Sequence, residues 1–164
     1  MARQYTREMI QGLSILVVDS NSYMRRVTRM MLTNLGAKTI YEAPDSLAAL
    51  EVARTFDPDV MVLNWNMPVL SGLELLRIIR SPALFPKPEL PVIMLSDCTR
   101  RSDVAKALRS GVHEFLVRPT SSAMLENRLL SIAANPRPMV QVGPFYVPQP
   151  RRMRASEGAE AAAC

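Results

Sequence analysis

The chain has 164 residues, a formal net charge of +5, 48% hydrophobic and 21% charged residues, a balance that fills one core of ordinary size and leaves little room for a second. No stretch approaches the roughly 18 uninterrupted apolar residues of a membrane span, and the polar residues 1–12 lack the apolar centre of a secretion signal, so a cytoplasmic protein without membrane insertion is expected. Cys98 and Cys164 are the only cysteines, which gives neither a disulfide framework nor a metal-type spacing. The excess of 20 Lys and Arg over 15 Asp and Glu is too mild and too spread for a DNA-binding stripe, and no DNA partner is expected.

The apolar run at 14–18 is of the kind buried in a parallel sheet, and Asp19, Ser20, Asn21 and Ser22 supply capping chemistry for a helical pattern over 23–35 that stops at Gly36. A second strand is expected at 38–43 and a second helix at 45–56, with Asp57-Pro58 as punctuation before a third strand at 60–63. Ser71-Gly72 opens a third helix through Arg80. Pro86, Pro88 and Pro91 mark a loop, and 92–95 is a fourth buried strand. A fourth helix spans 101–110, closed by Gly111 as a glycine beyond the cap; a fifth strand follows at 115–117 and a fifth helix at 121–134.

Five strands alternating with five helices imply right-handed crossovers and a parallel sheet covered on both faces. The fold expected is α/β, flavodoxin-like (βα)5 with strand order 2-1-3-4-5, over residues 12–134, preceded by an N-terminal extension at 1–11 and followed by an extended tail at 135–164. In that topology the crevice opens at the carboxyl ends of strands one and three. It brings Asp19, Ser20 and Asn64 side by side, with Ser96 and Arg118, each just past a strand, completing the rim.

These residues resemble the receiver domains of bacterial two-component response regulators, especially CheY-like proteins. The resemblance is carried by Ile15-Leu16-Val17-Val18-Asp19, Met24-Arg25-Arg26, Asn64-Trp65-Asn66-Met67-Pro68 with Gly72, Leu95-Ser96 and Arg118-Pro119. It implies a pair of acidic residues after the first strand, where this chain has Asp19 and Ser20. It implies a phosphoacceptor aspartate three residues before the Met-Pro pair, where this chain has Asn64. The switching hydroxyl is kept as Ser96, the lysine before proline is Arg118, and the aromatic switch position is Phe115.

Phosphoryl transfer to a carboxylate needs an anionic nucleophile, a divalent cation and a cation that binds a phosphoryl oxygen. An amide at Asn64 is not such a nucleophile, and with Ser20 and Asn64 in place of carboxylates only Asp19 remains as a charged ligand for Mg²⁺, which prefers hard anionic oxygens. The expectation is a degenerate pocket with no metal, no cofactor and no enzymatic activity, in which Arg118 pairs with Asp19 in the space an ion would fill. Asp97 is expected to be solvated near the rim, and His113, the only histidine, to be a surface loop residue.

A pseudo-receiver of this kind acts through protein contacts, with a sensor kinase, a flagellar component or another signalling protein as partner. The resemblance places the partner face on the fourth helix, fifth strand and fifth helix, and Phe115, Arg101, Lys106 and Arg109 are its candidates, since aromatics and arginine supply most interface hot spots. The frequent prolines after Asn135 are taken to exclude helix and strand, leaving an extended, mobile tail. Two alternatives stand beside this reading. One is a cyclic di-GMP-responsive effector using Arg137, Tyr146, Arg151, Arg152 and Arg154 in the tail, by loose resemblance to arginine-rich CheY-like proteins; the other is a phosphorylatable receiver in a phosphorelay.

Overall fold

The computed structural model describes residues 1–97 and 100–150. Five parallel strands, β1 (Ser14–Val18), β2 (Thr39–Ala43), β3 (Val60–Asn64), β4 (Val92–Ser96) and β5 (Glu114–Val117), form one sheet in the order β2-β1-β3-β4-β5. Side chains alternate across the sheet, as the two-residue period of a strand requires. Leu16, Val18, Met61, Leu63, Val92 and Met94 enter one core, and Ile15, Val17, Val60, Val62, Ile93 and Leu95 enter the other. Both faces are therefore buried, which is why the strands read as unbroken apolar runs.

The helices are α1 (Ala2–Gln11), α2 (Ser22–Leu35), α3 (Ser46–Phe56), α4 (Gly72–Arg80), α5 (Arg101–Arg109) and α6 (Ser122–Ala134). Their starts follow capping chemistry: the side chains of Asn21, Asp45, Ser71 and Ser121 each accept the backbone N–H three residues on, and Glu74 returns the bond to Ser71 in a capping box. Gly36 ends α2 at φ 108°, in the left-handed region that glycine tolerates. Helix α1 is an addition to the sequence reading, which left residues 1–11 without structure. Thr6, Met9 and Ile10 form its inward stripe at helical spacing, and Ile10 is fully buried in the core shared with α2 and α6.

The segment after Asn135 corrects a second expectation. Residues Met139–Val142 (β6) and Phe145–Pro148 (β7) form an antiparallel hairpin, with Val142 paired to Phe145 across a two-residue turn. Gly143 takes φ 61° at the first turn position, as a glycine-led two-residue hairpin turn requires. The prolines punctuate the hairpin and do not forbid it: Pro138 precedes β6, Pro144 lies in the turn, and Pro148 ends β7. The hairpin lies against α4 and is tied down by Arg137, whose guanidinium donates to the backbone carbonyl of His113 and, at 3.4 Å, to that of Gln149.

His113 is the third correction, since it is buried and not a surface loop residue. Its Nδ1 lies 3.0 Å from Nη2 of Arg80 and 3.3 Å from the backbone nitrogen of Val92. Both neighbours only donate, so Nδ1 is the acceptor and the ring proton sits on Nε2. Arg80 is fully buried and donates to the carbonyls of Gly111, Pro88 and Leu90 at 2.7–2.8 Å. Burial pulls its pKa down to about 9, opposed by Glu89, so it is charged at neutral pH. Among the described residues no helix is long and apolar enough to cross a membrane.

Candidate functional site

The carboxyl ends of β1, β3, β4 and β5 bring Asp19, Asn64, Ser96 and Arg118 to one crevice, as the switch point of a doubly wound sheet does. Asp19, Asn64 and Ser96 are buried, and Ser20 is exposed at its outer edge. Oδ1 of Asp19 accepts the backbone N–H of Asn21 at 2.9 Å and the Asn64 amide Nδ2 at 3.2 Å. Its Oδ2 accepts from Nη1 of Arg118 at 3.1 Å, while Nη2 of Arg118 donates to Oδ1 of Asn64 at 2.5 Å. The Asn64 amide also donates to the Asn66 carbonyl at 2.9 Å. The guanidinium spans the pocket from β5 to β1 and β3.

The Arg118 and Asp19 side chains are only 7% and 4% exposed, so they form a desolvated ion pair with no net charge. Asp97 sits outside it, 71% exposed, with Oδ1 3.4 Å from Nε of Arg118. The solvated position expected for Asp97 is thus combined with an ion pair to the rim. The divalent cation that the family's chemistry implies does not fit these residues: each carboxylate oxygen of Asp19 already accepts from nitrogen donors, and the other inward groups are an amide and a guanidinium. Among the described residues no group of three or more His, Cys, Asp or Glu side chains gathers to hold a metal.

Two glycine and loop features shape the crevice. A Cβ on Gly72 would stand 2.3 Å from the backbone oxygen of Asn64, so only glycine lets α4 start so close to the end of β3. The loop between them holds Val69 at φ 69°, with the Leu70 N–H bonded to the Pro68 carbonyl at 2.9 Å, the rarer positive-φ form of a γ-turn. Ser46 Oγ donates to the Leu70 carbonyl and pins this loop to α3. Arg25, which the sequence offers only as part of the Met24-Arg25-Arg26 motif, is a site residue; it donates to the Asp19 carbonyl at 2.7 Å and pairs with Glu42 at 3.5 Å. A helix-face reading has no means of seeing that contact, because it depends on how α2 sits over the end of β1.

The residues assigned to a partner face separate. Phe115 is half-buried and meets the ring of Trp65 edge-on, 6.1 Å between centroids, so it reports on the crevice. Arg101 is exposed at the start of α5. Lys106 and Arg109 instead line, with Arg77, a cleft of about 380 Å³ against the hairpin. Of the tail residues, Arg137 is committed to the carbonyls of His113 and Gln149, Tyr146 is half-buried in β7, and Arg151, Arg152 and Arg154 lie outside the described residues.

A parallel sheet in this order, with a buried acid after β1 and a hydroxyl after β4, agrees with the receiver-domain resemblance, in which Asn64 stands at the position expected for the acceptor carboxylate. Residues 15–130 match the response regulator receiver domain, and the chain belongs to that family. It is 35% identical over 119 residues to the chemotaxis protein CheY-3 of Vibrio cholerae, covering 73% of this chain and 90% of that protein. It is 32% identical over 120 residues to the chemotaxis protein CheY of Pseudomonas aeruginosa, covering 73% and 95%. Among solved structures, the receiver domain of Francisella response regulator 1452 superposes with a TM-score of 0.68 at 28% identity, covering 75% of this chain and 98% of that one.

Proposed function

We propose that this receiver domain is a signalling module of the two-component or chemotaxis type that works through protein contacts, without accepting phosphate and without catalytic turnover of its own. The observation that carries the reading is the Arg118 guanidinium seated on both Asp19 and Asn64. The amide offers no anionic oxygen to attack phosphorus, and the guanidinium and amide donors take the carboxylate that would bind a cation. The domain is thereby held in one electrostatic state, and its partners, a sensor kinase or a flagellar or other signalling component, read a fixed surface in the cytoplasm. The cyclic di-GMP alternative loses Arg137 to the hairpin, and calorimetric titration of the full chain tests its remaining arginines.

A Mg²⁺ titration followed by fluorescence of Trp65, the sole tryptophan and the residue next to Asn64, tests the reading. Wild type is expected to give no saturable change at millimolar Mg²⁺, whereas the combined variant Ser20→Asp, Asn64→Asp, Arg118→Lys is expected to bind. A saturable wild-type response would contradict the reading.

A further inference from the structure

The C-terminal ends of α4 and α5 carry Arg77, Lys106 and Arg109, all exposed, and none forms an ion pair among the described residues. They converge on the cleft of about 380 Å³ whose other wall is the hairpin, presenting Val142, Phe145 and Val147. Among the described residues no carboxylate lines it. On α2, by contrast, Arg25 and Arg29 share the carboxylate of Glu42. Three cations without an ion pair among the described residues, held around an apolar wall, are a different arrangement: like charges repel, and the cost is offset when an anion enters. The partial negative charge at the C-terminal end of α5 favours Lys106 and Arg109 in its last turn and offsets part of that repulsion, the rest of which an incoming anion relieves.

We propose that this cleft is a docking site for an acidic segment of a partner protein that carries an apolar side chain. Charge complementarity selects the acidic residues, and Phe145, 38% exposed beside Val142, supplies the seat for the apolar one. A segment that carries both charge and an apolar side chain suits the site better than a compact anion, because the cations stand across from an apolar wall of Val142, Phe145 and Val147. The proposal rests on the reading of the chain as a protein-contact module. It moves the contact from the face around Phe115 to the side of α5 that meets the hairpin, and it assigns the segment after Asn135 a part in recognition.

The test is fluorescence anisotropy of the full chain with a fluorescein-labelled model peptide of glutamates around a central leucine, and with the same peptide carrying glycine for leucine. The combined variant Arg77→Glu, Lys106→Glu, Arg109→Glu is expected to weaken the leucine peptide at least tenfold, and Arg101→Glu, on the same helix but outside the cleft, less than twofold. Phe145→Ala is expected to weaken the leucine peptide severalfold and to leave the glycine peptide unchanged. Circular dichroism confirms that each surface variant is folded. The proposal is overturned by absent binding to wild type, by equal loss in Arg101→Glu, by indifference to the triple reversal, or by displacement of the peptide by equimolar cyclic di-GMP or pyrophosphate. Repeating the titration after acetyl phosphate and Mg²⁺, with intact mass recorded, separates the two claims: phosphoryl uptake counts against the phosphate-independent reading, and anisotropy alone decides the cleft.

Discussion

Arg118 and Asp19 face each other between β1 and β5 as a buried pair, and removing Arg118 leaves the Asp19 carboxylate buried without a counter-charge. Arg118→Ala is expected to lower stability by about 1 to 3 kcal/mol in urea denaturation, below the usual loss for a broken buried pair, because Asp19 keeps its bonds from Asn21 and Asn64. Added Mg²⁺ should leave the melting temperature of wild type unchanged, since a ligand stabilises only by binding the native state. Val69 gives an opposite effect. It is 95% exposed and β-branched at positive φ, so Val69→Gly removes strain without losing burial and is expected to raise stability by about 1 kcal/mol, read from the same denaturation curves.

At the scale of elements, the hairpin is the part whose stability is local. Gly143→Val places a β-branched residue at φ 61° where a Cβ meets nothing within 4 Å, so the cost is conformational alone, about 1 to 2 kcal/mol. Hydrogen exchange is expected to quicken across residues 139–148 while β1, β3 and β4 keep their protection; uniform loss of protection would show that the hairpin is integral to the domain core. The five strands and five helices of the sheet were legible because their apolar runs, caps and glycines act locally. The hairpin carried its own signal, apolar alternation at Val140, Val142, Phe145 and Val147 around a glycine-led turn, which a rule that prolines forbid strands suppressed. Helix α1 was illegible because a single buried anchor, Ile10, holds an otherwise polar segment. Four pocket residues, Asp19, Asn64, Ser96 and Arg118, were legible from their positions just past strand ends, whereas Arg25 and the split of Lys106 and Arg109 from Phe115 depend on tertiary packing that no spacing rule contains.

Across the whole molecule, Arg80 joins parts that are distant in sequence. Its guanidinium bonds the loop carbonyls of Pro88 and Leu90, the Gly111 turn and His113, and the carbonyl of His113 in turn receives Arg137 from the hairpin. Arg80→Met is expected to cost about 3 kcal/mol or more, since it leaves three buried carbonyls without their donor and the histidine nitrogen with the Val92 N–H alone. Thermal unfolding should remain a single transition, because Arg137 ties the hairpin to the His113 carbonyl beside β5. At the opposite end of the sheet Arg118 spans the crevice and Asn64 is an amide, and on the proposed reading the contact surfaces have no phosphate signal to follow. The most direct measurement is intact mass after incubation of the full chain with acetyl phosphate and Mg²⁺. The account predicts an unchanged mass for wild type and a phosphoryl adduct for the combined variant Ser20→Asp, Asn64→Asp, Arg118→Lys; a wild-type adduct that persists in Asp97→Ala and His113→Ala would contradict it.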